Sequence, residues 1–266
     1  MKQFMFCLRK DGCEYIRKKR NILYLIVLLS IAIGELLATL YYPVIIDALI
    51  NRAPEVLSDS TSIKDMLVHW FPSNVAGSLG VLSANILAFY SMVIIFIANN
   101  MLTEEIKNGR WIIPLGAGYK KSNLILSKAI VNSIGAAFPV FVIYNMYYFM
   151  CWGNLENNFT FVNVFTNALI ICFIIFVITN ITIFTSVIFK KNAISAITII
   201  MVIIVTPDLF NMFSFRKWLP TYLLTYVTSS MNDVRSAVIS LFECLILVVV
   251  LYGISLKQVN KIEVNR

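Results

Sequence analysis

Six long runs of apolar residues, separated by shorter polar segments, set the pattern of this chain. Each run is continuously apolar, which favours a helix, because the strands of a membrane barrel alternate between apolar and polar positions. At about 1.5 Å per residue, helices of this length cross a hydrocarbon core of about 30 Å. The pattern therefore predicts six spans, over residues 22–42, 79–99, 129–151, 164–189, 193–213 and 237–254. The fifth span reaches the required length only if it continues past Pro207.

The composition agrees with a chain that is mostly embedded in lipid. Hydrophobic residues make up 59% of it and charged residues 14%, and the mean hydropathy is +0.80. An ordinary soluble domain has about 25% charged residues, and one of this length could not bury so much apolar surface. The predicted fold class is an all-α membrane protein. Residues 1–266 are predicted to form a single transmembrane domain, with the lipid bilayer as the solvent of its spans.

Lysine and arginine are concentrated on one side of the predicted spans. They cluster in the N-terminal tail, in the loop after the second span, directly after the fourth span and at the C-terminal end. Cytoplasmic segments of membrane proteins carry this excess, so both termini are predicted to be cytoplasmic. The net charge of +8 does not indicate nucleic-acid binding, because these cations lie between membrane spans rather than on a soluble face.

Residues 1–20 precede the first span and combine cations with apolar residues at roughly helical spacing. This predicts an amphipathic helix that lies at the inner membrane surface, with a disordered basic tail as the alternative. A signal peptide is not favoured, because the apolar run that follows is too long and lacks a cleavage site of small residues. The apolar residues of the predicted helix are Met1, Phe4, Met5, Leu8 and Ile16.

The loop over residues 100–128 is the most polar interruption of the apolar pattern. Its adjacent Glu104 and Glu105, followed by Arg110, are similar to the glutamate pair of the intramembrane proteases that process prenylated proteins. That family needs histidines on other helices, whereas the single histidine of this chain, His69, lies in a predicted loop. No glycine pair has the spacing of a phosphate-binding loop before Lys-Ser/Thr. The sequence therefore predicts no catalytic residue, no metal site and no directly bound cofactor.

The same loop resembles the first cytoplasmic loop of ABC exporter permeases of the second integral-membrane type. In that family a glutamate ends the second span, and a glycine, a short amphipathic run, a small or proline turn, a cation and Gly/Ser-Lys follow in order. Here Glu105 and Gly109 match the start, and Ser127-Lys128 match the end. Gly118 stands where the family usually has proline, and Lys121 where it usually has arginine.

This resemblance implies a coupling helix over residues 102–114 that docks into an ATPase subunit and conveys its closure to the spans. Two copies of the ABC ATPase would bind ATP and Mg²⁺, and a second copy of this permease, or a homologous permease, would complete the assembly. An ordinary solvated loop is the alternative. The residues implied in ATPase coupling are Glu104, Glu105, Lys107, Gly109, Arg110, Trp111, Lys121 and Lys128.

The residues of the loop suit a docking element. Trp111 and the isoleucines near it, Ile106, Ile112 and Ile113, can form one apolar face, while the charged residues steer the approach of a partner. The glycines of the loop allow turns with positive φ. Glu105 is expected at a solvated membrane boundary, so its replacement by Lys is expected to spare the fold and to impair coupling.

The resemblance also bears on the outer segment 207–232, which Pro207 and Pro220 interrupt. This segment resembles the short re-entrant helices that cap the outer gate of these exporters, and irregular backbone at that depth must be covered by protein. The implied substrate is amphipathic or hydrophobic: an antimicrobial peptide, an antibiotic or a lipid-linked molecule. The implied location is the bacterial cell membrane, as a multi-pass protein.

Two carboxylates, Glu35 and Glu243, lie within predicted spans. A charged side chain at the membrane centre costs about 2.5–3.5 kcal/mol on insertion scales, and intramembrane ionisable residues are candidates for functional sites. Equally, each can be a hydrogen-bonded contact between helices. Two alternatives to an exporter therefore stay open: an ion- or proton-coupled carrier that uses both glutamates, and a non-transporting membrane anchor or sensor subunit.

Overall fold

The computed structural model describes residues 2–52, 74–156, 159–189, 196–201, 222–228 and 234–261. These residues are helical almost throughout, and outside the helices they contain one isolated bridge, between Asn74 and Glu156, rather than a strand. Helices long and apolar enough to cross a membrane cover Arg20–Tyr41, Val75–Lys107, Lys121–Trp152, Phe161–Phe189 and Arg235–Asn260. The prediction of an all-α membrane protein is confirmed.

Five of the six predicted spans coincide with these helices. Of the predicted fifth span, 193–213, the structure describes residues 196–201, which are helical, and the remainder lies outside the described residues. The helices are α1 (Lys2–Arg17), α2 (Arg20–Arg52), α3 (Val75–Asn85), α4 (Ser91–Asn99), α5 (Met101–Lys107), α6 (Ile112–Gly116), α7 (Lys121–Trp152), α8 (Phe161–Phe189), α9 (Tyr222–Thr228) and α10 (Val234–Asn260).

The second span is one long helix that contains a π-helical turn. This turn, Ile86–Tyr90, joins α3 to α4, and such wide turns occur frequently at functional sites. The span begins at Asn74, whose side chain accepts a hydrogen bond of 2.7 Å from the backbone N–H of Gly77. This cap satisfies one of the free N–H groups of the first helical turn.

Helix α1 packs on α7 through a face that the sequence pattern did not reveal. Its buried residues are Cys7, Asp11 and Tyr15, spaced four apart, which places them on one side of the helix. Tyr15 lies against Gly135 of α7, where an added Cβ would stand 2.3 Å from the Tyr15 ring. The large apolar residues Met5, Phe6 and Ile16 are exposed instead. The N-terminal segment is therefore an ordered helix rather than a disordered tail.

One end of the bundle is formed by α1, residues 107–121 and the last turns of α10, and it is rich in Lys and Arg. We call it the basic end. Here Lys121, at the start of α7, donates a hydrogen bond of 3.1 Å to the carbonyl of Val259 near the end of α10. The side chain of Gln3 in α1 reaches the carbonyl of Gly118 at 3.5 Å. The basic end thus unites α1, the loop before α7 and the last turns of α10.

The opposite end of the bundle holds the start of α3 and the end of α7, which the contact between Asn74 and Glu156 joins. Helix α9 packs against α3 and α10, with Tyr222, Leu223 and Val227 buried. It is the described part of the predicted outer segment 207–232, and the other residues of that segment lie outside the described residues.

Candidate functional site

The loop between the second and third spans folds around two left-handed glycines. Gly109 has a φ of +66° and Gly118 a φ of +81°, as predicted for turns in this loop. The prediction was wrong for Gly116, which is the last residue of α6 and has no positive φ. Because an L-residue helix cannot continue through this conformation, the predicted coupling-helix range 102–114 is divided into two helices. Helix α5 extends the second span as far as Lys107, and α6 begins at Ile112.

A buried ion cluster of Asp11, Glu14, Glu105 and Lys128 joins three elements at the basic end. Lys128 is 4% exposed, and its ammonium pairs directly with Glu105 of α5. It also lies 3.1 Å from Glu14 Oε2 and 3.5 Å from Asp11 Oδ1, both on α1. One cation of α7 therefore ties together the end of the second span and the N-terminal helix.

Further contacts surround the buried ion cluster. Glu14 Oε1 accepts from Lys18 at 2.5 Å and faces Arg110 at 3.5 Å. The indole Nε1 of Trp111 donates to Glu105 Oε2 at 3.5 Å, and Trp111 is 4% exposed. The turn that leads into α6 is thus anchored to the cluster by one cation and one buried aromatic ring.

The structure separates the predicted coupling residues into two groups. Glu105, Trp111 and Lys128 are buried together, whereas Glu104, Lys107 and Arg110 are exposed. Lys121 is half-buried and binds the end of α10. Gly109 forms the turn between the two groups.

The expectation that Glu105 sits at a solvated boundary was wrong. Glu105 is 7% exposed, because Lys128, far away in sequence, supplies the compensating charge inside the fold. Replacing Glu105 with Lys would place two cations in contact in a buried site, so this change is no longer expected to spare the fold. The predicted common face of Trp111 and the isoleucines is not formed either, since Trp111 is buried while Ile113 is 82% exposed.

Sequence reasoning also missed Asp11 and Glu14 as members of the site. They are the only carboxylates before Glu35, and they stand three residues apart in a strongly basic segment. That isolated acidic pair on one helical face was the available signal for a partner cation.

The carboxylates of α1 respond differently to this environment. Burial of Glu14 opposes its ionisation, but the hydrogen bond from Lys18 and the charge of Lys128 outweigh burial and lower the pKa of Glu14 from 4.5 to about 2. Burial raises the pKa of Asp11 above its ordinary value, against the charge of Lys128 and the hydrogen bond that Ser127 donates. Glu14 is therefore the carboxylate of α1 that holds its charge most firmly.

The lowered pKa of Glu14 predicts a loss of stability in acid. Its ionised form contributes fully above pH 4.5, and this contribution is lost as the pH falls toward about 2. Asp11 acts in the opposite sense. Because its pKa is raised in the folded protein, its protonated form contributes stability below pH 3.8, and this contribution is lost as the pH rises above that value. We expect Glu14→Gln to lower the unfolding midpoint near neutral pH and to flatten its decline in acid.

The measurement is thermal unfolding of the purified protein in detergent, from neutral pH down to about 2, the folded-state pKa of Glu14. The matched control is Glu104→Gln, since Glu104 is exposed and has no ion pair among the described residues. A Glu14→Gln variant whose acid profile coincides with that of the wild type would show that the pairs with Lys18, Arg110 and Lys128 add nothing to stability.

The exposed part of the loop forms an apolar tip. Ile112 is 46% and Ile113 is 82% exposed, and both lie on α6, none of whose residues is buried. A groove of about 330 Å³ separates this tip from α1, with Phe6, Ile113 and Leu124 among its apolar walls and Lys10 and Arg110 as its cations. The tip and groove together offer an apolar surface bordered by positive charge.

The turn before the tip depends on Gly109. An added Cβ there would approach Ile112 Cδ1 to 3.1 Å, on a backbone with a φ of +66°. We expect Gly109→Ala to destabilise the loop by about 1–2 kcal/mol and to raise its rate of hydrogen exchange. Gly116→Ala is the control, because an added Cβ at Gly116 meets no atom within 4 Å. Equal exchange rates in the two variants would contradict a conformational requirement at Gly109.

The two predicted intramembrane carboxylates lie in different surroundings. Glu35 is 9% exposed, and its Oε2 accepts a hydrogen bond of 2.7 Å from Asn85 of the second span. Glu243, on α10, is half-buried, and within the part of the chain that the structure describes its Oε2 has no hydrogen-bond partner. The described contacts do not join the two glutamates to each other or to a common partner.

Comparisons of this chain with protein-family models, with curated proteins and with solved structures found no match.

Proposed function

We propose that this protein is the membrane-spanning subunit of an ATP-driven ABC exporter and works with separate ATPase subunits that bind ATP and Mg²⁺. The observation that carries the proposal is the exposed apolar tip of α6, which is anchored to the buried ion cluster. Ile113 is 82% exposed, while the neighbouring Trp111 is anchored to Glu105 and hence to Lys128. An exposed apolar helix whose preceding turn is anchored in the fold suits binding in a groove of a soluble partner.

The buried ion cluster provides a route for coupling in this proposal. A displacement of α6 by the ATPase acts through Trp111 on Glu105, and through Lys128 on both α7 and α1. Close-packed elements transmit such shifts because they do not deform continuously. The exposed cations Lys107 and Arg110 would steer the approach of the partner and fix its register more than they would tighten binding.

The topology that we propose has six spans with the basic end in the cytoplasm. Residues 166–173 of α8 and 238–245 of α10 line one common depression, and Phe184 contacts Tyr252 further along. The two helices therefore run in the same direction, which supports one further crossing between them, over the predicted span 193–213. The proposal includes a re-entrant outer segment, 207–232, with α9 as its described part.

The assembly that we propose contains two permeases, identical or homologous, and two copies of the ATPase in the bacterial cell membrane. The substrate would be amphipathic or hydrophobic, such as an antimicrobial peptide, an antibiotic or a lipid-linked molecule. It would pass through a cleft between the permeases, reshaped when the ATPases close.

The proposal is tested by purifying the tagged full chain in mild detergent and measuring both bound protein and ATP hydrolysis. We expect a soluble ATPase to accompany the chain and vanadate-sensitive hydrolysis to follow the ATPase. After a salt wash that strips the partner, the chain alone should hydrolyse no ATP. Robust hydrolysis by the isolated chain, or transport without any ATPase, would contradict the proposal.

A carrier driven by a proton or ion gradient is the second candidate. It is favoured by the buried Glu35, one oxygen of which accepts no hydrogen bond from any residue that the structure describes, because proton relays in membranes use such carboxylates. The two candidates differ in their energy source. Transport in proteoliposomes that follows a pH gradient without ATP, and that is lost in Glu35→Gln, would favour the carrier over the exporter.

A further inference from the structure

On one face, the first span presents two buried oxygen atoms that have no hydrogen-bond partner among the described residues. They are Glu35 Oε1 and Thr39 Oγ1, and the two residues are 9% and 5% exposed. Residues four apart on a helix have Cβ atoms about 5–6 Å from each other. Both oxygens therefore lie within reach of one small group with several hydrogen-bond donors.

A hydrogen bond to Oε2, the second carboxylate oxygen, fixes the orientation of the Glu35 side chain. Asn85 donates to Oε2 at 2.7 Å and is the last residue of α3, directly before the π-helical turn. Tyr147 and Cys151 of α7 lie near enough to interact electrostatically with Glu35. Tyr147 shares a hydrogen bond of 2.6 Å with Ser78, and no described residue, Tyr147 included, donates a hydrogen bond to Glu35 Oε1.

A carboxylate at this depth calls for a cationic partner. Intramembrane ionisable residues are rare and are normally paired with one another or with backbone groups, yet Glu35 has no cation against it among the described residues. The same face of the span adds a hydroxyl oxygen, from Thr39, which is also an acceptor. The two oxygens, which accept no hydrogen bond from the described residues, therefore match a group that carries both a positive charge and several N–H bonds.

We infer that Glu35 and Thr39 bind the primary ammonium group of a cationic amphiphile. An ammonium carries three N–H donors, enough to satisfy both oxygens and retain one donor. Ca²⁺ and Mg²⁺ fit less well, because they take about six or more oxygen ligands, and the described residues contain no group of three His, Cys, Asp or Glu placed to hold a metal ion.

The surface next to Glu35 fits the apolar part of such a ligand. The exposed Gly34 beside Glu35 has open space where a Cβ would stand. Ile33 and Leu37, each 49% exposed, are two residues from Glu35 and therefore lie on the outward side of the helix. A hydrocarbon chain would follow this outward side while its ammonium passes Gly34 to reach the carboxylate. The inference rests on the proposed exporter function, whose substrate class it narrows to cationic amphiphiles with a primary amine.

The test uses the purified full chain in nanodiscs of a zwitterionic phospholipid, without any ATPase. The probe is radiolabelled dodecylammonium, and the comparison ligand is dodecyltrimethylammonium, which has equal charge but no N–H donor. We expect saturable dodecylammonium binding that weakens by at least about tenfold in Glu35→Gln and by a smaller factor in Thr39→Val. The trimethylammonium ligand should bind more weakly to the wild type and respond little to Thr39→Val.

The matched control is Glu243→Gln, an intramembrane glutamate on α10 whose replacement should leave binding unchanged. Each variant is first checked for a wild-type elution volume and unfolding temperature. If Glu35→Gln does not fold, Thr39→Val decides the matter, because it preserves the shape of the side chain and the charge of the site. Undiminished dodecylammonium binding in Thr39→Val and in any folded Glu35→Gln, or equal binding of both ligands to all variants, would overturn the inference.

The outcome is separable from that of the proposed function. If an ATPase co-purifies with the chain but dodecylammonium binding does not depend on Glu35 and Thr39, only the ammonium site is wrong. If binding depends on both residues but no ATPase accompanies the chain, the site stands and the exporter assignment fails.

Discussion

Replacing Lys128 with Met is expected to lower the free energy of unfolding by about 3–5 kcal/mol. The change removes the cation that Asp11, Glu14 and Glu105 share and leaves carboxylates buried without compensation. Met keeps much of the aliphatic volume, so the loss reports on charge rather than on a cavity. The measurement is equilibrium unfolding in mixed micelles, together with protease cleavage in α1, which should become accessible.

Two further variants separate the buried ion cluster from a general effect of charge. Lys120→Met removes an exposed cation a short distance along the chain and should change stability by no more than about 0.5 kcal/mol. Glu105→Met combined with Lys128→Met removes the closest pair and should be less destabilised than the sum of the two single variants. Strict additivity, or a Lys128→Met protein as stable as Lys120→Met, would show that the four residues do not act as a unit.

Replacing Ile113 with Glu is expected to abolish the proposed association with an ATPase while the chain remains folded. Ile113 is 82% exposed, so its substitution should alter stability by no more than about 0.5 kcal/mol. In a docked complex the same side chain would lie in an apolar groove, where an unpaired carboxylate is strongly unfavourable. The measurement is the amount of ATPase that co-purifies with each variant, alongside ATP-dependent transport.

The controls for Ile113 test whether apolar contact or added charge is responsible. Ile113→Val keeps an apolar side chain and should retain most of the ATPase. Asn108→Glu adds the same negative charge to an exposed position on the preceding turn and should cause the smaller loss. If Asn108→Glu is as damaging as Ile113→Glu, electrostatic steering outweighs apolar docking, and if neither has an effect, α6 is not the docking element.

The spans could be predicted from the sequence because the bilayer imposes a simple rule. A backbone that crosses lipid must satisfy its own hydrogen bonds, so a continuous apolar run of sufficient length indicates a helix. The structure confirms this for five of the six runs. The left-handed turns at Gly109 and Gly118 were predictable for a similar reason, since glycine is the residue that adopts positive φ without strain.

The buried ion cluster was not predictable, because its members are brought together only by tertiary packing. Lys128 is 114 residues from Glu14 and 23 from Glu105, and local patterns carry no information on such pairs. Glu105 was expected to contact solvent for the same reason, since its hidden partner was not apparent. The packed face of α1, with Asp11 at its centre, likewise contradicts the rule that the apolar stripe is the buried one.

The site at Glu35 and Thr39 was likewise predictable only in part from the sequence. The spacing of Glu35 and Thr39 can be read from the sequence, and it places them on one face of a helix. Their lack of donors, and the orientation that Asn85 imposes from 50 residues away, required the packed structure.

The central claim, that the tip of α6 is where an ATPase meets this chain, is tested most directly by site-specific photo-cross-linking in intact cells. A photoreactive phenylalanine derivative is placed at position 113, and at position 152 as the control, because Trp152 is 55% exposed at the opposite end of α7 from the basic end. We expect a cross-linked ATPase, identified by mass spectrometry, from position 113 and none from position 152. The absence of an ATPase adduct at position 113, or equal adducts at both positions, would contradict it.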